Sequence, residues 1–127
     1  MEVKTSTKEK FTVISGMPQD LSVTMTEDLC RQLTDHLGMP VKNIVLDMAA
    51  VQSIDEPSAE KLVKTQQDFY EAGASFVIFG LSPAVEAHLD ELDLLELMNV
   101  TPTESEAWDI VQMEEIEREL LDEDEPE

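Results

Sequence analysis

Only one cysteine, Cys30, occurs among 127 residues, and no group of His and Cys stands near it in the chain. Disulfides need pairs and structural zinc needs four such ligands, so both frameworks are excluded and Cys30 reads as a small buried hydrophobe. The four glycines, Gly16, Gly38, Gly73 and Gly80, are scattered. A P-loop or a dinucleotide fingerprint needs glycines at close fixed spacing, so neither can be written here. No cofactor and no metal are expected. His36 and His88 are the two imidazoles, and neither stands in a nucleophile motif with Ser or Cys. Both read as helix-surface residues. No apolar run approaches the roughly 20 residues of a membrane span, and Met1 to Lys10 contains no apolar signal core. The expectation is a cytoplasmic protein with no membrane role.

Bases are scarce as well: eight Lys and Arg face 29 Asp and Glu, a formal charge of −21 at pH 7. Such a chain repels nucleic-acid phosphates and anionic head groups and favours encounter with basic protein surfaces. The expected partner is therefore a protein, with no nucleic acid. What the chain does have is 42% hydrophobic residues, enough for a core of ordinary size. Its length fits one domain.

Phe11-Thr12-Val13-Ile14 is short and β-branched, broken by Gly16-Met17-Pro18 before a second extended piece around Leu21-Ser22-Val23. This reads as an edge hairpin at the N-terminus. Thr24 and Glu27 form a capping-box pattern, and Leu29, Leu33 and Leu37 follow at helical spacing. Asn43 to Asp47 is a continuous apolar run closed by a carboxylate, which predicts a strand buried on both faces. Pro57 then opens a helix through Ala59, Leu62, Val63, Gln66, Phe69 and Tyr70, ended by Gly73. Ser75 to Phe79 predicts a second buried strand, Ser82-Pro83 a further helix start, and Asn99 to Thr101 a weak strand. Thr103 and Glu106 cap a last helix through Trp108, Ile110, Val111 and Ile116. Strands alternating with helices predict an α/β fold with a mixed, mainly parallel sheet. The body is expected to span residues 1–121, followed by an acidic flexible tail over 122–127, where charge leaves nothing to bury.

Asp47 ends a central strand, the place where receiver domains carry a phospho-accepting aspartate. A receiver also needs acids after its first strand and a lysine after its last. Here Gly16-Met17-Pro18 follows the first strand and Lys64 is the last lysine, so that reading fails. No catalytic set can be named, and the chain is read as not an enzyme.

The order Asn43-Ile44-Val45-Leu46-Asp47-Met48, then Ile54-Asp55 leading into a helix, then Phe76 to Gly80 and Leu81-Ser82-Pro83-Ala84-Val85 resembles the STAS family of anti-sigma factor antagonists. The likeness runs over most of the body. It implies a sheet of four or five strands with surrounding helices, serving as a protein-binding module in partner switching. The implied partner is a serine-kinase anti-sigma factor or a related switch protein. It would be bound through the loop and helix from Asp47 to Lys64, with Asp47, Asp55, Glu56, Pro57, Ser58 and Lys61 in the contact. In the family a switch serine follows the aspartate matched by Asp55, but here that position is Glu56. Three readings of Glu56 stay open: a partial mimic of phosphoserine, a plain acidic residue favoured at a helix start, or a remnant in an unregulated scaffold component of a signalling complex. Ser58 is either an alternative phospho-acceptor or a first-turn residue whose hydroxyl meets backbone or water.

Overall fold

The computed structural model describes residues 3–123. In chain order it contains β1 (Lys4–Thr7), β2 (Phe11–Ser15), β3 (Asp20–Leu21), α1 (Val23–Asp35), β4 (Asn43–Asp47), β5 (Ser53–Ile54), α2 (Glu56–Glu71), β6 (Phe76–Phe79), α3 (Pro83–Glu91), β7 (Val100–Thr101) and α4 (Glu104–Glu123). Short 3₁₀ turns at His36–Gly38 and Leu95–Leu97 complete it.

Five strands form one sheet in the order β1-β2-β4-β6-β7, with β1 antiparallel to β2 and all other pairs parallel. The register sets Val45 between Val13 and Val77, and Leu46 between Ile14 and Ile78. Successive side chains leave a strand on opposite faces. Ile14, Ile44, Leu46 and Ile78 therefore enter one core with Leu29, Leu33, Leu62, Phe69, Val85 and Leu89 of α1, α2 and α3. Phe11, Val13, Val45 and Val77 enter a second core with Ala107 and Val111 of α4. Both faces are covered, which is why these strands show no polar alternation. Each fully buried aliphatic side chain contributes about 1.5–3 kcal/mol, and their sum offsets the self-repulsion of so acidic a chain.

Two polar residues explain how the sheet keeps its ends. Asn43 is 6% exposed, and its Nδ2 donates to the Lys10 carbonyl at 2.9 Å and to Glu115 at 2.7 Å, while its Oδ1 accepts from the Ser75 N–H at 2.8 Å. One amide thus ties together the segments leading into β2, β4 and β6, and α4. Gln66, read from the spacing as part of an apolar helix face, donates to the Phe76 and Asn99 carbonyls at 3.0 Å each and accepts from the Asn99 N–H at 3.0 Å. It holds the short β7 edge in place.

The structure corrects several local expectations. The N-terminal hairpin is β1 with β2, whereas Leu21 belongs to β3, which pairs in parallel with β5 as a separate ribbon. The cap of α1 is Ser22, whose Oγ accepts from the Met25 N–H at 3.4 Å, because the extended chain ends there and Thr24 already lies inside the helix. Tyr70 is 73% exposed and Ile116 55% exposed, so neither belongs to the core. Thr103 does cap α4, accepting from the Glu106 N–H at 3.2 Å. Of the expected acidic tail, Asp122 and Glu123 have helical backbone and residues 124–127 lie outside the described ones. Among the described residues, no helix is long and apolar enough to cross a membrane.

Candidate partner-binding site

Asp47 closes β4 half-buried, and its Oδ1 accepts from the Ala49 N–H at 2.9 Å, turning the chain out of the sheet. Gly80, at the end of β6, faces the same turn with φ +78°. A Cβ there would lie 3.5 Å from Ala49 and 3.6 Å from Asp47 Oδ1, so backbone conformation rather than space calls for glycine. The carboxylate that a receiver reading would use for phosphate is here a turn-closing acceptor.

The loop then presents Ala49, Ala50, Gln52 and Ser53 to solvent while Val51 and Ile54 are buried. Pairing of β3 with β5, reinforced by the Ser53 hydroxyl donating to Asp20, sets the starts of α1 and α2 side by side. Asp55 caps α2: its Oδ1 accepts from the Ser58 N–H at 2.9 Å. The Ser58 side chain, and then the N–H groups of Ser58 and Val23, hold the Asp55 carboxyl below its usual value against a smaller opposing desolvation. Glu56 and Pro57 follow, both exposed, at the positive end of the helix.

Ser58 itself is 0% exposed, and its hydroxyl donates to the Leu21 carbonyl at 3.3 Å. The hydroxyl is a bridge between α2 and the strand preceding α1, closed to an approaching enzyme in this conformation. Lys61, one turn further, is partly buried in a groove of about 410 Å³ between α1 and α2, with Glu27, Cys30, Arg31 and Asp68. Burial pushes the Cys30 thiol up, as expected for an inert residue. The structure thus brings Asp55, Glu56, Pro57 and Ser58 together at one helix start. Asp47 lies at the strand end from which the chain departs toward them, and Lys61 turns to α1. Among the described residues no group of three or more His, Cys, Asp or Glu could hold a metal ion. The anchoring of Ser58 to Leu21 has no sequence signal, because the acceptor is a backbone carbonyl.

The cap makes a prediction. Asp55→Ala is expected to destabilise the chain by about 1 kcal/mol at pH 7, the usual cost of losing an N-cap carboxylate. Because the folded carboxyl titrates below its unfolded value, its contribution is present above about pH 4 and is lost as pH falls through the folded value. Urea unfolding of both proteins at pH 7 and pH 3 checks this, and the difference should shrink at the lower pH.

The comparisons with known proteins agree with this architecture. A family model described as the STAS domain matches residues 4–107. No curated protein sequence gives a significant match. A candidate anti-sigma factor antagonist from Thermotoga maritima superposes with TM-score 0.73 at 21% identity, covering 87% of this chain and 94% of that one. Moorella thermoacetica RsbS, in a serine-to-glutamate variant, gives 0.64 at 22% identity, covering 88% and 96%. The Bacillus anti-sigma factor antagonist SpoIIAA in its unphosphorylated form gives 0.67 at 17%, covering 87% and 96%. At these identities the likeness is one of fold.

Proposed function

The chain belongs to the STAS domain family, and from that premise we propose that it is a non-catalytic, anti-sigma-factor-antagonist-like binding module. Its partner is a serine-kinase anti-sigma factor or a related switch protein, bound by the loop and helix from Asp47 to Lys64. The observation that carries the reading is the start of α2: a capped helix end presenting Glu56 and Pro57 to solvent beside an exposed, small-residue loop. A helix N-terminus favours a negative group, so it is a place where adding or fixing charge alters recognition. Several solved structures of this fold carry anti-sigma factor antagonist in their names, and SpoIIAA is described in both phosphorylated and unphosphorylated forms. These support the role without identifying this chain's partner.

A second reading follows from one residue. With Glu56 at the position matched to the switch serine and Ser58 buried, the first turn of α2 offers no exposed hydroxyl. It then serves as an unregulated scaffold component of a signalling complex. Mixing the purified chain with candidate serine-kinase anti-sigma factors and measuring complex formation with and without ATP separates the two. A complex whose affinity changes with ATP supports switching, an ATP-insensitive complex supports the scaffold, and no complex with any candidate counts against both.

A further inference from the structure

The outer face of α4 carries an apolar stripe that no described residue covers. Met113, Ile116 and Leu120 are 59%, 55% and 54% exposed, and their spacing of three and four residues stacks them along one side of a helix. Ala107 and Val111, on the opposite side, are the residues that pack against the sheet. Isolated exposed apolar residues are ordinary, but three in register are the pattern by which one amphipathic helix anchors in another protein. The stripe lies beyond residue 107, where the family match ends.

Charge selects the occupant. Asp109, Glu117 and Glu119 are exposed on the same helix, with no salt bridge to a base among the described residues. The inward acids are already engaged: Glu114 accepts from Asn99 at 3.1 Å and Glu115 from Asn43 at 2.7 Å, with Lys10 3.6 Å away. Arg118 turns to the sheet and donates to the Ser75 hydroxyl at 3.2 Å. A second copy would set acid against acid across the stripe, between chains of −21 each. A helix with lysines and arginines bordering an apolar face meets both the stripe and its rim. We propose that the outer face of α4 docks a basic amphipathic helix of a partner protein, at a surface separate from the start of α2.

The probe is a labelled amphipathic helical peptide of leucine and lysine, titrated with the full chain beside a scrambled peptide of the same composition. The amphipathic peptide is expected to bind at least about tenfold tighter. Ile116→Glu combined with Leu120→Glu is expected to weaken it by at least that factor. This variant decides the matter because it adds negative charge, which would strengthen an attraction that was only electrostatic. Circular dichroism checks that the variant keeps its helices. If it does not, Ile116→Ser, which removes the central anchor without adding charge, should weaken the amphipathic peptide alone. Equal binding of the two peptides, or undiminished binding by the folded variant, overturns the proposal. So does a dimer of the chain alone, seen by sedimentation and dissociated by the same substitutions. Because α2 is untouched, failure here leaves the partner-switching reading standing.

Discussion

Replacing Ser58 by aspartate is expected to destabilise the chain by about 3 kcal/mol or more, among the larger effects a single substitution produces. The side chain is 0% exposed and its hydroxyl sits between the Leu21 carbonyl and the Asp55 carboxylate. A second carboxylate there would be desolvated, would face two acceptors, and would remove the hydroxyl that serves them. Ser58→Ala removes that hydroxyl from both acceptors without adding a charge and is expected to cost less, about 1–2 kcal/mol. Urea denaturation of the three proteins at pH 7 measures both differences. The comparison bears on regulation, since phosphate at Ser58 would place about two negative charges where aspartate places one. A cost below about 1 kcal/mol for Ser58→Asp would mean that the helix start opens readily and that Ser58 is available for modification.

That burial was invisible in the sequence, and the reason is general to what was and was not legible there. The two central strands declared themselves because Asn43 to Asp47 and Ser75 to Phe79 carry apolar residues on both faces, a pattern that only a covered sheet requires. Starts of α2, α3 and α4 were legible from Pro57, from Ser82 with Pro83, and from Thr103 with Glu106, because first-turn chemistry is local, whereas the cap Asp55 makes on α2 was not read from the residues. β1 was not legible: Lys-Thr-Ser-Thr is exposed throughout, and only the pairing with β2 makes it a strand. β3 and β5 are two residues each and exist through each other, so no window of sequence contains their cause. Thr24 and Ser22 both suit an N-cap, and what decides is where the β3 chain stops being extended. Ile116 fits a core stripe by residue type, yet the positions that meet the sheet are those of Ala107 and Val111, on the other side of α4. At the candidate site, the order of residues placed Asp55 to Ser58 at a helix start, whereas the bond from Ser58 to a carbonyl 37 positions away could not be read from it.

Glu56→Ser is expected to tighten the complex with the proposed kinase-type partner by tenfold or more, about 1.4 kcal/mol, if Glu56 imitates a phosphorylated serine. Glu56 is the first residue of α2, exposed beside its capping aspartate, so its carboxylate adds to the negative charge of Asp55 at one helix end. A phosphoserine there would carry about −1.5 to −2 with three strong acceptor oxygens, and glutamate carries about −1 with two. The imitation is partial, and relieving it should recover the affinity it withholds. The serine is also expected to become a phosphorylation site, because unlike Ser58 this position is open to solvent. Loss of an acid from the first turn should loosen the helix by only about 0.3–1 kcal/mol, too little to mask tighter binding as unfolding. Affinities must be compared at one ionic strength, since surface attraction to so acidic a chain falls with salt. If Glu56 only stabilises the helix start, the serine variant will bind no more tightly and will be slightly less stable. An unchanged or weaker Glu56→Ser complex therefore removes the mimic, and labelling from ATP at that serine alone would still mark the surface as the one the kinase reaches.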